Sequence, residues 1–298
     1  MSRPVVPWGT PPRATRPSTP RISAIIPTFN EAANLPAVFA ALPASVSELI
    51  VVDGWSTDGT VEVAQSLRPD VRILKQTRKG KGNALACGFN NATGDVVVML
   101  DADSSTDPRE IPKYLQVLLD GADYAKGSRF ARGGTSLDIT PLRKLGNVFL
   151  NTIVNVLYRT RYSDLCYGYN AFWRDVLPVL GLDCGEQALD MRWGDGFEIE
   201  TILNVRAAKA GLRIVEVPSV ELPRVHGESK LHAVRDGLRI LRVIVTERRR
   251  QPEFSADPAA TPGTAPDWAP HDATDVDGHA TPAGLLDEEP RPRAHEAS

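Results

Sequence analysis

Two carboxylates one residue apart, Asp101 and Asp103, close the apolar run Val96-Val97-Val98-Met99-Leu100. Hard oxygen ligands at the end of a strand suit a divalent cation that keeps several waters and neutralises a diphosphate. The plainer reading of Asp-X-Asp is a strand cap followed by a turn. Other polar groups end apolar runs in the same way. Asn30 and Glu31 follow residues 22–27, and Asp53 follows residues 49–52. Lys79 and Lys81 sit in a basic, glycine-broken loop, Arg78-Lys79-Gly80-Lys81-Gly82-Asn83. Together these groups suit a nucleoside diphosphate: acceptors for base and ribose, a metal for the phosphates, and lysines for residual charge. Taken alone, the lysines are more readily read as solvated loop charges. The chain has neither a Gly-X4-Gly-Lys-Ser/Thr loop nor a Gly-X-Gly-X-X-Gly turn after its first strand.

The elements that must position these groups follow from the pattern around them. Strands are expected at 22–27, 49–52, 71–74 and 96–100, with helices at 32–42, up to 67, and from the basic loop to 90. Ser56, Thr57 and Asp58 offer N-cap chemistry for the second helix, and Gly59 eases the turn. Alternating strands and helices of this length imply right-handed crossovers and a mostly parallel central sheet flanked by helices, an α/β fold. The unbroken Val and Ile runs fit strands covered on both faces. Ligands of such sheets gather beyond the carboxyl ends of the strands, where the polar groups stand.

The chain has 298 residues, of which 42% are hydrophobic and 24% charged, ordinary for a globular protein. Three segments are expected: a Pro/Arg-rich head at 1–20, one domain at 21–250, and an acidic Pro/Ala-rich tail at 251–298. The head and tail are expected to be disordered. The head is +3 and the tail −8, so the overall −3 leaves a body near +2 and says nothing about the site. Cys87, Cys166 and Cys184 lack metal-ligand spacing and are expected as reduced thiols of a cytoplasmic protein. No apolar stretch approaches the roughly 20 residues that span a bilayer. Two segments could lie on one. The first, 143–158, apolar along one side, is expected as an acceptor-site helix next to lipid. The second, 231–250, a basic amphipathic helix, is expected as a packed helix with a peripheral contact at the inner face of the membrane. The alternative is that both simply pack on the sheet. The second places Leu238, Leu241 and Val245 on one stripe. No feature points to nucleic acid.

Several motifs in order resemble those of family-two nucleotide-sugar glycosyltransferases of the GT-A fold, over about residues 21–250. They are Ile26-Pro27-Thr28-Phe29-Asn30-Glu31, Val52-Asp53-Gly54-Trp55-Ser56-Thr57-Asp58-Gly59-Thr60 and Leu100-Asp101-Ala102-Asp103. Gly127-Ser128-Arg129-Phe130, Asp164 ahead of Gly168-Tyr169, and Phe197-Glu198-Ile199-Glu200 follow. Glu216-Val217-Pro218 and Arg224-Val225-His226-Gly227-Glu228-Ser229-Lys230-Leu231 complete the series. The match is closest to the polyprenyl-phosphate branch typified by dolichyl-phosphate mannose synthase.

The resemblance implies a single GT-A-type domain that transfers a hexose, with inversion, from a nucleoside-diphosphate sugar to a polyprenyl phosphate. Asp53 would accept a hydrogen bond from the base, uracil or guanine, and Pro27, Thr28, Asn30 and Glu31 would line the base and ribose pocket. Asp101 and Asp103 would hold Mg2+ or Mn2+. Arg129 and Arg143 would grip phosphate, with Arg224, Ser229 and Lys230 closing the pocket, since a guanidinium meets phosphate oxygens with two parallel bonds. A lipid phosphate is already ionised and needs no general base. A hydroxyl acceptor on a glycan or metabolite would need one, for which Asp164 is the first candidate and Glu198 the second. His226 is a candidate third metal ligand, although a packed or solvated histidine is the commoner case. The chain departs from the family at Gly54, where a second carboxylate is frequent, and at Cys166-Tyr167-Gly168-Tyr169-Asn170. A sugar nucleotidyltransferase and a non-catalytic nucleotide-binding scaffold are the readings from other classes.

Overall fold

The computed structural model describes residues 15–188, 190–227 and 233–250. The elements run β1 (Ile22–Thr28), α1 (Leu35–Ala40), β2 (Val46–Asp53), α2 (Thr60–Leu67), β3 (Arg72–Lys75), α3 (Lys81–Asn91) and β4 (Val96–Met99). They continue α4 (Ile111–Leu119), β5 (Tyr124–Ser128), β6 (Thr135–Ser136), α5 (Pro141–Tyr158), β7 (Asn170–Trp173), α6 (Leu177–Leu180), α7 (Ile199–Lys209), β8 (Ile214–Pro218), β9 (Val220–Glu221) and α8 (Ala233–Arg249).

Among the described residues the strands form a seven-stranded sheet ordered β3-β2-β1-β4-β7-β5-β8 and a two-stranded sheet, β6-β9. The pairs β1–β2, β1–β4, β2–β3 and β5–β8 are parallel, and β7 lies antiparallel between β4 and β5. The mostly parallel sheet expected from the strand–helix alternation is therefore present. β1, β2 and β4 are buried almost throughout, as continuous apolar runs require. α3 packs close to this sheet because Gly88 has no side chain. A Cβ there would lie 2.3 Å from Ile25 Cγ2. A second apolar cluster joins α5, α7 and α8 through Leu150, Val154, Val205, Ile240 and Ile244.

Local chemistry shifts four expectations. α1 starts at Leu35 rather than residue 32, because the chain first turns at Glu31, whose carbonyl accepts the Asn34 N–H at 2.9 Å. α2 is capped by Gly59 at φ 85°, while the Asp58 carboxylate accepts the Ala32 N–H at 3.0 Å and so ties two loops together. Arg16, placed by sequence in a disordered head, binds Asp175 at 3.0 Å and Asp123 at 2.7 Å and stacks over Trp173. Cys87 and Cys184 are disulfide-bonded across 97 residues of chain, so the reduced-thiol expectation is corrected, and with it one ground for a cytoplasmic setting. Only folding brings α3 against the loop after α6. Cys166 is the free cysteine. The tail, 251–298, lies outside the described residues.

Among the described residues no helix is long and apolar enough to cross a membrane. α8 buries Ile240, Val243 and Ile244, whereas Leu238 and Val245, from the stripe singled out by sequence, are exposed.

Candidate active site

The ends of β1, β2, β3 and β4 open on one cavity of about 950 Å³. Asp101 and Asp103, on the turn after β4, both line it. That turn is held by the Thr106 hydroxyl, which accepts the Asp101 N–H at 3.1 Å, and by Asp103 Oδ1, which accepts the Ser105 N–H at 3.0 Å. Each carboxylate already faces a cation. Lys81 Nζ is 2.6 Å from Asp101 Oδ1, and Arg224 Nε is 3.1 Å from Asp103 Oδ2. Lys81 starts α3, where the helix dipole disfavours a cation. It is held there by a second acid, Glu200 on α7, at 2.7 Å. Burial works against the Lys81 charge, but Asp101 and Glu200 outweigh it and keep the ammonium protonated well above the usual range.

Gly168 completes this cluster. A Cβ there would lie 3.0 Å from Lys81 Nζ, 3.1 Å from Glu200 Oε1 and 3.4 Å from Asp101 Oδ2, so a larger residue would press on all three groups. Sequence reasoning quoted both Gly168 and Glu200 without giving either a role. The signal was the spacing in Phe197-Glu198-Ile199-Glu200, since residues two apart on a helix face different sides.

Arg129 follows β5 and also lines the cavity. Its guanidinium forks onto Asp164 at 2.7 and 2.9 Å and reaches both oxygens of Glu221 at 3.1 Å. Burial opposes its charge, and Asp164 and Glu221 more than restore it, raising its pKa. Asp164 is 0% exposed. It does not face the cavity, so the expected general base is instead a clamp on Arg129. Glu198 is also withdrawn. Its Oε1 accepts the Gly194 N–H at 3.2 Å and pairs with Arg239 at 2.9 Å, holding the loop that leads into α7.

The remaining expected residues divide. Pro27, Thr28, Glu31, Lys79, Arg143 and Arg224 line the cavity. Asn30 does not: its side chain accepts the Thr57 N–H at 2.8 Å and braces a loop. Asp53 is 2% exposed, and its oxygens accept the Ser56 N–H at 3.3 and 3.2 Å, so it shapes the turn rather than facing a base. His226 is exposed and is fixed by its backbone, its N–H donating to Asn34 Oδ1 at 3.1 Å. Among the described residues no group of three His, Cys, Asp or Glu gathers to hold a metal, so His226 does not join Asp101 and Asp103 as a ligand set. Ser229 and Lys230 lie outside the described residues. Gln76 and Glu221 line the cavity without having been expected there.

From Asp101 the cavity continues to a mainly apolar end lined by Ile139, Leu142, Leu145, Phe149 and Leu150 of α5 and the loop before it, and by Ile240 of α8, with Arg143, Asn147 and Asp236 beside them. The outer face of α5 is strongly apolar in water: Leu145 is 68% and Val156 73% exposed, with Leu142, Val148 and Phe149 beside them. α5 contains no acid, and the two acids of α8, Asp236 and Glu247, point inward.

A family model described as glycosyl transferase family 2 matches residues 23–181. Undecaprenyl-phosphate mannosyltransferase of Micrococcus luteus is 34% identical over 220 residues, 71% of this chain and 87% of that protein. Polyprenol monophosphomannose synthase of Mycolicibacterium smegmatis is 35% identical over 233 residues, 75% of this chain and 85% of that protein. Among solved structures, glucosyl-3-phosphoglycerate synthase from Mycobacterium tuberculosis, in complex with Mn2+, UDP and glucosyl-3-phosphoglycerate, has a TM-score of 0.59 at 22% identity. That match covers 83% of this chain and 86% of the other, and is a likeness of fold.

Proposed function

Because the chain belongs to glycosyl transferase family 2, we propose that it moves a hexose from a nucleoside-diphosphate sugar to a polyprenyl phosphate, inverting the anomeric carbon. One observation carries this reading. A single cavity runs from a charged end, with Asp101, Asp103, Lys81, Arg129 and Arg224, to the apolar end between α5 and α8. A phosphate on a long hydrocarbon chain has the matching shape and chemistry, and the names of the mannosyltransferase relatives agree with it.

Asp101 and Asp103 fit a divalent cation. They present oxygen donors only, they stand in the cavity, and both already pair with positive charge, which a metal ion would supply in its turn. Two carboxylates leave most coordination positions to water and diphosphate, the manner of Mg2+ or Mn2+. When bound, such an ion would neutralise charge developing on the diphosphate as it leaves.

The protein's own residues do the rest. Lys81 and Arg224 hold cationic groups toward the leaving diphosphate, and such groups act most strongly where charge develops in the transition state. Arg129 and Arg143, which both line the cavity, would hold the acceptor phosphate between the charged and apolar ends. An oxygen of that phosphate attacks the anomeric carbon while the bond to the diphosphate breaks on the opposite side. The acceptor phosphate is ionised near neutral pH, so no proton need be removed. That accords with Asp164 and Glu198 both being turned away from the cavity. The outer faces of α5 and α8 would rest on the membrane that holds the lipid. Leu142, Leu145, Val148, Phe149, Leu238 and Val245 would enter it, and Arg235, Arg242 and Arg249 would meet anionic headgroups.

The test is a panel of sugar nucleotides with Mg2+ or Mn2+, with and without polyprenyl phosphate, following nucleoside diphosphate release. Release that requires the lipid is expected. Release indifferent to it would favour a hydroxyl acceptor instead.

A further inference from the structure

One polar side chain at the opposite end of the cavity has no part in the chemistry above. Gln76 directly follows β3 and lines the cavity together with Thr28, Gly54, Phe29 and Trp55. It is 8% exposed, and its amide forms no hydrogen bond among the described residues. The amide opens on the cavity, so both its oxygen and its NH2 are accessible to a ligand that can supply their partners. Its position is fixed by its backbone N–H, which donates to the Asp53 carbonyl at 3.1 Å. Gly54 keeps the approach open. A Cβ there would stand 3.3 Å from Gln76 Nε2 and 3.0 Å from the Thr28 carbonyl oxygen. Phe29 and Trp55 supply aromatic faces on which a flat base can lie.

We infer that Gln76 reads the nucleotide base, and that it sets this site for a uridine rather than a guanosine diphosphate sugar. The inference rests on the reading of the donor as a sugar nucleotide and narrows it to one of two bases. A primary amide has one acceptor oxygen and one donor NH2 side by side. Uracil presents N3–H beside O4, and the amide meets both. Guanine presents O6, N1–H and an exocyclic NH2 in a row. The amide pairs with two of these and leaves the third without a protein partner, which costs affinity relative to uracil. A carboxylate would take N1–H and NH2 together, but both nearby acids already accept other hydrogen bonds. Asp53, expected from sequence to read the base, holds the Ser56 N–H and is absent from the cavity wall. Glu31 lines the cavity, but its Oε2 accepts from the Asn34 amide at 2.7 Å.

Calorimetric titration of the full chain with UDP and with GDP, each with Mg2+, reads the preference without any acceptor. UDP is expected to bind roughly tenfold or more tightly than GDP. Gln76→Leu should weaken UDP by about the same factor and GDP much less. Gln76→Glu, which keeps the size but replaces the donor by a second acceptor, should narrow the preference or reverse it. GDP bound by the unmodified protein as tightly as UDP overturns the inference. So does a folded Gln76→Leu variant that keeps its UDP affinity. Should the leucine variant fail to fold, the unmodified protein and the isosteric Gln76→Glu still decide. Because no lipid enters the titration, this result stands or falls apart from the polyprenyl-phosphate acceptor.

Discussion

The two ends of the cavity are built by opposite means. At the charged end three cations rest on carboxylates: Lys81 on Asp101 and Glu200, Arg129 on Asp164 and Glu221, Arg224 on Asp103. At the other end α5 leaves Leu145, Val148, Phe149 and Val156 more than half exposed among the described residues. The first end is complete before any substrate arrives, its charges oriented and ready to be shared with phosphate. The second is complete only when something apolar covers it. Charge is expensive to organise during a reaction and is organised in advance. Apolar surface needs only contact, and can wait for the lipid.

Within the charged end the pairs also differ. The Arg129–Asp164 pair is buried on both sides, whereas the Asp101 carboxylate is 25% exposed beside Lys81. The first is permanent framework and the second exchangeable. The largest effect is therefore expected at the framework. Asp164→Ala should strip a buried guanidinium of its main partner and cost about 3–5 kcal/mol of stability, read by thermal or urea melting. Melting unchanged from the parent protein would erase the distinction. Asp103→Ala should leave melting nearly unaltered, because Arg224 is partly exposed and can turn to water. It should slow sugar transfer about a hundredfold, roughly 3 kcal/mol in the barrier, read in single turnovers at saturating donor.

The difference between the ends also explains what could be read from the sequence. Strand ends are local: an apolar run that stops at Asp101 or Glu31 announces both the strand and the polar group beyond it. The parallel sheet and the pairing of Asp101 with Lys81 were therefore within reach. Which way a side chain turns once it is there depends on partners far along the chain. Asp53 and Asp164 carry the right chemistry for a base reader and a general base, yet Ser56 and Arg129 claim them. Gln76 and Gly168 carry no local mark and Glu200 only its helix spacing, and all three reach the cavity only when β3, α7 and the loop before β7 meet. The disulfide between Cys87 and Cys184 is hidden for the same reason, its partners being 97 residues apart. On α8 the periodicity was visible, but the buried face proved to be that of Ile240, Val243 and Ile244.

The apolar end offers a smaller and cleaner contrast. Leu145→Glu and Phe149→Glu change exposed residues, so the fold should be untouched. Burying one such side chain contributes roughly 1.5–3 kcal/mol. Each variant should therefore weaken binding to anionic vesicles about tenfold or more, and raise KM for long-chain polyprenyl phosphate in step. Donor affinity should not move. Vesicle flotation that ignores both substitutions would mean that this face meets another partner.

The smallest expected effect separates the inner face of α8 from its outer one. Glu247 is buried beneath the helix, where it receives the Arg206 guanidinium at 3.1 and 3.0 Å and the Trp193 indole N–H at 3.0 Å. Burial alone would lift its carboxyl. Arg206 and Trp193 outweigh that and hold it below the ordinary value of 4.5. A carboxylate depressed in the folded state stabilises the protein above its unfolded pKa, and that contribution is lost as pH falls through the folded value. Melting temperature should thus hold steady from neutral pH to about 5 and decline below 4.5. Glu247→Gln should start lower at neutral pH and decline less in acid. If instead the acid limb of the variant matches that of the parent, the loss belongs to other carboxylates. The outer arginines stay charged across this range, so vesicle binding should survive at any pH where the inner face still holds.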